Sequence, residues 1–287
     1  MIGEMEKTEG THMLQDLAYG RLENEYRPTP PRDTDSVLCF RDPDVLLHRD
    51  EQNLLTLPTA AHFPGQTLRY AFRLHGIGYY LLSGADVEAP APFAWVNTRA
   101  LRRSAPDKIC YAILTGWHLH TWYQHNRFCG GCGAETIHDE TERMLRCPVC
   151  GNLIFPRINP AVIAAVTDGD NLLLSRYAGR SYTSFALLAG YAEIGETIEQ
   201  TVTREVYEEV GLKVKNLRYY KSQPWGVDGN LLLGFFCDLD GDDTIRLDEH
   251  ELSHAAWYPR NGLPVADDGF SLTREMIRVF SEGKEPR

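Results

Sequence analysis

A chain of 287 residues and 32.5 kDa has room for two domains and a small insert. Its 43% hydrophobic and 24% charged residues are ordinary for a folded protein, which excludes disordered, collagen-like and coiled-coil classes. The 29 Lys and Arg against 40 Asp and Glu leave a net charge of −11, so no broad basic field exists for nonspecific nucleic-acid binding. An acidic protein can still act on a phosphate ester where it gathers metal cations locally.

The chain begins with the polar, acidic MIGEMEKTEG, which lacks the basic and apolar regions of a secretory leader. No later apolar stretch approaches the roughly 18–20 residues of a membrane helix. The expectation is a cytoplasmic protein without a membrane partner. The first 65 residues read as irregular and polar, with PTPPRDTD at 28–35 as a turn or linker. LRYAFRL at 68–74, YYLL at 79–82 and FAWV at 93–96 read as strands, and 107–125 as a helix. Residues 1–125 are therefore expected to form a small α/β or α+β domain. His118, His120 and His125 fall on its helix, but no nearby Cys or acid completes a metal set, so they read as surface or interface histidines.

Residues 126–156 change character, and 157–287 follow as a third segment. PAVIAAVTDGDNLLLSRY at 160–177 reads as two strands joined by a turn, and SFALLAG as another strand. A patterned helix is expected over 196–211, strands at 213–221 and 231–239, and a final helix at 272–280.

Seven cysteines, an odd number, argue against a complete disulfide framework. Cys129 and Cys132 form one CxxC pair, and Cys147 and Cys150 a second one 14 residues on. Each pair is followed by glycine, Gly133 or Gly151. Two such turns can aim four thiolates at one Zn²⁺, and four protein ligands leave no open position, so this zinc is expected to be structural. The segment between the pairs is not rich in basic residues, which speaks against a DNA-reading role. Cys39, Cys110 and Cys237 lack such spacing and read as ordinary thiols.

The most informative stretch is GYAEIGETIEQTVTREVYEEVGL, Gly190 to Leu212. On a helix, Glu205, Glu208 and Glu209 fall within an arc of roughly 100°. Ile198, Val202, Val206 and Val210 form the neighbouring apolar stripe. Carboxylates this close repel one another unless cations sit among them, and oxygen ligands favour Mg²⁺ or Mn²⁺. Arg204 can orient Glu208 one turn on, and Gly211 suits the helix end. With U for an aliphatic residue, the stretch fits G-x5-E-x7-R-E-U-x-E-E-x-G-U at Gly190, Glu196, Arg204, Glu205, Val206, Glu208, Glu209, Gly211 and Leu212.

This pattern resembles the Nudix box. The resemblance implies an α/β/α sandwich that hydrolyses a nucleoside diphosphate linked to another group, with divalent metals on the acidic helix. A zinc ribbon before the box, and a further domain before that, resemble the NADH pyrophosphatase subfamily, whose members also remove NAD caps from RNA. The subfamily implies homodimers and a dinucleotide substrate. It also implies a backbone carbonyl at Ala189 and the side chains of Glu205, Glu208, Glu209 and Glu251 around the metals. One of these acids would be the base, with Arg204 beside them. Phe155, Tyr191, Gln223, Trp225, Glu142 and Thr273 match substrate-contacting positions. The chain departs after SQPW at 222–225, where Gly226, Val227 and Asp228 replace Pro-Phe-Pro. The departure implies a looser, more polar loop and a relaxed substrate preference. Other diphosphates, such as ADP-ribose or diadenosine polyphosphate, remain alternatives, as does a non-catalytic nucleotide sensor on the same scaffold.

Overall fold

The computed structural model describes residues 13–16, 21–82, 87–103, 108–179, 184–264 and 269–287. The polar start of the chain, residues 1–12, lies outside the described residues, as does position 107 of the expected first helix. The chain packs as two units. One holds the described residues up to Asp16 with Pro160–Gln223 and Leu231–Arg287; the other holds Leu17–Asn159 with Pro224–Asn230. Among the described residues no helix is long and apolar enough to cross a membrane.

The second unit begins with short strands: β1 (Leu22–Glu23), β2 (Ser36–Leu38), β3 (Phe40–Arg41), β4 (Asp44–Arg49) and β5 (Leu55–Thr56). Then come β6 (Leu68–Leu74), β7 (Ile77–Leu82), β8 (Ala94–Asn97) and α1 (Lys108–His125). One sheet has the order β1-β6-β7-β2, and another runs β3-β4-β5 with β8 on β4. Strands β6, β7 and β8 lie where the sequence places them, to within two residues. Those before 65 were not legible: β1, β2, β3 and β5 have two or three residues, too few to show a two-residue period, and the six-residue β4 buries Val45, Leu46 and Leu47 in a row and so does not alternate. Their apolar residues are nonetheless core: Val37, Leu38, Val45, Leu46 and Leu47 are buried. PTPPRDTD is indeed not an element. It closes on the buried Asp35, which accepts from the backbone nitrogens of Arg32 at 2.9 Å and Gly78 at 3.0 Å.

Helix α1 buries Cys110, Ile113, Leu114, Gly116, Leu119 and Trp122. Gly116 allows its close approach, since a Cβ there would overlap Leu38. His118 Nε2 donates to the Arg157 carbonyl at 2.7 Å, and His120 packs between Phe40 and Trp117. Three short strands complete this unit, β9 (Ile137–His138), β10 (Leu145–Arg146) and β11 (Leu153–Ile154), in the order β11-β10-β9.

The first unit is a sheet covered on both faces, whose strands β12, β15 and β16 have end residues (Asn159, Pro224, Trp225 and Asn230) that count with the other unit. Its elements are β12 (Asn159–Asp168), β13 (Asn171–Tyr177), β14 (Leu188–Tyr191), α2 (Ile198–Val210), β15 (Val214–Trp225), β16 (Asn230–Leu239), β17 (Leu252–Pro259) and α3 (Leu272–Ser281). The order is β15-β16-β12-β13-β17, with β14 on β12. Alternation along each strand divides the apolar residues between two cores. Val162, Ala164, Val166, Leu173, Phe235 and Cys237 meet Val202, Val206 and Val210 of α2. Ile163, Ala165, Leu172, Leu174 and Phe236 meet Leu272, Met276, Ile277 and Phe280 of α3. This is the expected α/β/α sandwich. Strand β17 was not legible: as an edge strand it fully buries only Leu252, so it shows no apolar alternation.

Burial in α1 pushes the His120 imidazole down to about 4, against the opposing charge of Asp42. The unfolded chain, titrating near 6.5, then binds more protons than the fold between those values. This contribution is complete above about pH 6.5 and is lost as the pH falls toward 4. Denaturant unfolding at intervals from pH 4 to 7 should show stability rising with pH, and His120→Gln should flatten that slope. His138, exposed on β9 but also drawn down to about 4 by desolvation and by the Arg69 charge, shifts in the same direction.

Candidate active site

The box builds its site through one strand, one loop and one helix. Strand β14 carries Ala189, Gly190 and Tyr191, in register with Ile163, Val162 and Ala161 of β12. The chain turns through Gly195, at φ 95°, and starts α2 with a reciprocal cap. Thr197 Oγ1 accepts from Gln200 N at 3.2 Å, and Gln200 Oε1 accepts from Thr197 N at 2.8 Å. Gly211, at φ 71°, closes the helix by donating to the Tyr207 carbonyl at 2.9 Å. The valine stripe points α2 into the sheet, which draws Glu205 and Glu209 inward to 8% and 2% exposure, while Glu208 stays exposed.

Arg204 organises these acids. Its Nε and Nη2 form a fork on Glu196 at 2.6 and 3.0 Å. Nη1 lies 2.8 Å from both Glu205 Oε1 and Glu208 Oε2, and Nη2 also donates to the Tyr191 carbonyl at 2.9 Å. Arg204 holds the Glu196 carboxyl down to about 2. Burial pushes Glu205 above the ordinary carboxyl range against the pull of Arg204, and the charges of Glu208 and Glu251 push the same way. Glu251 is brought near because its loop docks on the end of α2: Arg246 N donates to the Val210 carbonyl and Asp248 N to the Glu209 carbonyl, at 2.8 and 2.9 Å. Glu196 was legible as a fixed box position, but its part as the main partner of Arg204 was not. The fork spans eight residues across a capped turn that spacing does not reveal.

The donor set fits a hard divalent cation: buried Glu205 and Glu209, exposed Glu208, and Glu251 within electrostatic reach. A Cβ on Gly190 would coincide with the Glu205 carboxylate, so that carboxylate lies directly on the β14 backbone.

The cysteine pairs converge as expected. Their four ligand atoms lie within 4.8 Å of one another, with sulfur separations of 3.6 Å for Cys129–Cys150 and 3.4 Å for Cys132–Cys147. Among the described residues this is the one metal-ligating group so tightly drawn together. The two turns are alike. Gly133 N donates to the Cys129 carbonyl at 2.8 Å, and Gly151 N to the Cys147 carbonyl at 3.1 Å, at φ 77° and 74°. Amides of Gly131 and Cys132 hold the Cys129 thiol down to about 6, which suits a thiolate ligand. Thiolate, tetrahedral-capable and closed, the set fits zinc.

The remaining expected site residues divide between the units. Tyr191 is half exposed and Thr273 is half-buried, both in the unit of the box. Phe155 and Glu142 are exposed and Trp225 is buried, all in the other unit. Gln223, in the unit of the box, is 1% exposed with both its amide hydrogens bonded inside the protein. The loop after it is also tighter than expected. Trp225 Nε1 donates to Asp228 at 3.0 Å, Asn159 N donates to the Gly229 carbonyl at 3.0 Å, and a Cβ on Gly226 would strike the Leu114 carbonyl.

The NUDIX domain family matches residues 157–280, and the NADH pyrophosphatase zinc ribbon domain matches residues 124–155. A NAD-capped RNA hydrolase NudC from Pseudomonas aeruginosa is 34% identical over 250 residues, 86% of this chain and 84% of that protein. The chain belongs to the zinc-ribbon NADH pyrophosphatase family of Nudix hydrolases. A NudC from Enterobacter sp. (strain 638) is 40% identical over 162 residues, covering 56% of this chain and 62% of the relative. A solved NUDIX hydrolase from Nitrosomonas europaea aligns at 22% identity with a TM-score of 0.47, over 54% of this chain and 91% of its own. The four-cysteine cluster is this family's zinc ribbon, and the helix of Glu205, Glu208 and Glu209 is its Nudix box.

Two outcomes follow for this Nudix hydrolase. Elemental analysis of the unchelated protein should find one zinc per chain, and Cys147→Ser should lose it together with stability. Gly190→Ala should leave the fold intact by circular dichroism yet displace the Glu205 carboxylate, lowering kcat by ~100-fold, the scale of one lost electrostatic contact.

Proposed function

We propose that this hydrolase cleaves the diphosphate of NADH and NAD⁺ to AMP and nicotinamide mononucleotide, and the same linkage at the 5′ end of NAD-capped RNA. The observation that carries the reading is an intact Nudix box, Arg204 fork included, in one chain with the NADH pyrophosphatase zinc ribbon. Relatives named NAD-capped RNA hydrolase support it over most of the chain's length. An intact acid set also favours an enzyme over a nucleotide sensor.

Glu205, Glu208, Glu209 and Glu251, with the Ala189 carbonyl, would hold Mg²⁺ or Mn²⁺. Such a cation would polarise the diphosphate and activate water. The chain's own part is orientation. Arg204 fixes Glu205 and Glu208 against β14, and burial of Glu205 and Glu209 keeps two of the acids from turning toward solvent. One of these carboxylates takes the proton from the attacking water. Tyr191, Phe155, Trp225, Glu142 and Thr273 would bind the dinucleotide. The tight Trp225–Asp228 turn brings a carboxylate where relatives carry prolines. It supports relaxed selectivity, with ADP-ribose or other AMP-containing diphosphates cleaved alongside NADH. The working division is residues 1–125, a ribbon at 126–156 and a hydrolase segment at 157–287, acting as a cytoplasmic homodimer.

A panel of NADH, NAD⁺, ADP-ribose, diadenosine polyphosphate and NAD-capped RNA with Mg²⁺ or Mn²⁺ tests this, with products separated by chromatography. NADH should yield AMP and nicotinamide mononucleotide, EDTA should abolish activity, and either metal should restore it. Glu209→Gln keeps the shape but removes a charge, and should lower kcat by ~100-fold or more. Normal turnover by that variant would place the chemistry elsewhere, and an intact nicotinamide dinucleotide would leave the other diphosphates as substrates.

A further inference from the structure

The hydrolase unit includes four described residues from the far end of the chain. Met13 is 3% exposed and packs in the core of Phe236, Met276 and Phe280, and Leu14 is 5% exposed. Gln15 then lies along β15: its Nε2 donates to the Ser222 carbonyl at 3.4 Å, and its Oε1 accepts from Gln223 Nε2 at 3.0 Å. Asp16 reaches Lys221 Nζ at 3.4 Å. The other bonds of Gln223 go to the start of α3. Its Nε2 donates to the Phe270 carbonyl and its Oε1 accepts from Leu272 N, both at 2.8 Å. A side-chain amide has two donor hydrogens, and both are used here.

The geometry points to Gln223 as a positioning residue, and to Gln15, 208 positions away in sequence, as the partner that fixes its amide. A buried amide with one hydrogen left over would turn to find another acceptor, and the Leu272 amide would lose its tether. Thr273 is the next residue, so Gln15 and Gln223 together set where the substrate-facing start of α3 sits. The segment 13–16 is thus a working piece of the hydrolase unit. The functional part of this inference rests on the reading of Thr273 as a substrate contact. The structural part does not.

Full-length parent, Gln15→Ala and Gln15→Glu are compared, the last keeping an acceptor oxygen for Gln223. Two readouts are taken: steady-state kinetics on NADH, and hydrogen exchange at the Leu272 amide. Gln15→Ala should raise KM about fivefold with kcat within about twofold, and speed Leu272 exchange about tenfold. Gln15→Glu should restore both. Where Gln15→Ala fails to fold, Gln15→Asn, one methylene shorter, should show the same two changes. Parent-like KM and parent-like Leu272 exchange in a folded Gln15→Ala would overturn the proposal, as would a lower melting temperature without either change. If the parent cleaves no dinucleotide, the proposed function fails, while Leu272 exchange still decides the role of Gln15.

Discussion

The hydrolase site depends on the Arg204 fork. Three carboxylates on one face of a helix repel one another, and two of them are drawn toward the sheet by the valine stripe beside them. One guanidinium answers part of that repulsion: it takes Glu196 with two nitrogens and shares a third between Glu205 and Glu208. It also holds the Tyr191 carbonyl, so the strand before the loop and the helix after it are fixed to each other. A planar donor set with fixed spacing suits this, and lysine, a point charge on a flexible stem, would not reproduce it. Raising the Glu205 pKa by burial costs stability, and the cost is tolerated where a carboxylate must face a cation.

The glycines show how closely the parts are fitted. Gly190 lets a carboxylate rest on a strand, Gly116 lets a helix rest on Leu38, and Gly226 lets a loop rest on a helix carbonyl. In each case the missing side chain is what permits contact. The pair Gly133 and Gly151 has another reason: both take the left-handed conformation that closes a cysteine turn. The ribbon thus repeats one small device twice, and the repeat converges four sulfurs.

Much of this was legible in the residues. The box fixed the helix, its ends and its acids, because capping, apolar period and charge spacing all agreed over the same 23 positions. The cysteine spacing fixed the ribbon for a similar reason, since a local turn dictates it. What was missed depends on distance. Of the strands before position 65, four have two or three residues and carry no period of their own, and β4 buries three residues in a row and does not alternate. The edge strand over 252–259 buries too little on either face to alternate. The contacts of Gln223 were not legible because the residues that absorb its amide, Gln15 on one side and Phe270 with Leu272 on the other, come from two stretches of chain distant from it.

The departure after SQPW teaches the same lesson in the other direction. Losing two prolines and an aromatic suggests a loosened loop when only the loop is considered. Its surroundings decide otherwise. A proline carries a Cβ, and at position 226 that atom would strike the Leu114 carbonyl, so glycine is what lets the loop sit against α1. The stiffness that proline rings would supply comes instead from hydrogen bonds: the Trp225 indole to Asp228, and Asn159 to the Gly229 carbonyl through both its backbone and side-chain nitrogens. Rigid rings and a hydrogen-bonded turn are alternative ways to hold the indole, but they are not equivalent to a ligand. The first is neutral, and the second places a carboxylate beside Trp225. Any substrate preference that this loop sets should therefore come from charge and shape at Asp228, with loop mobility contributing little.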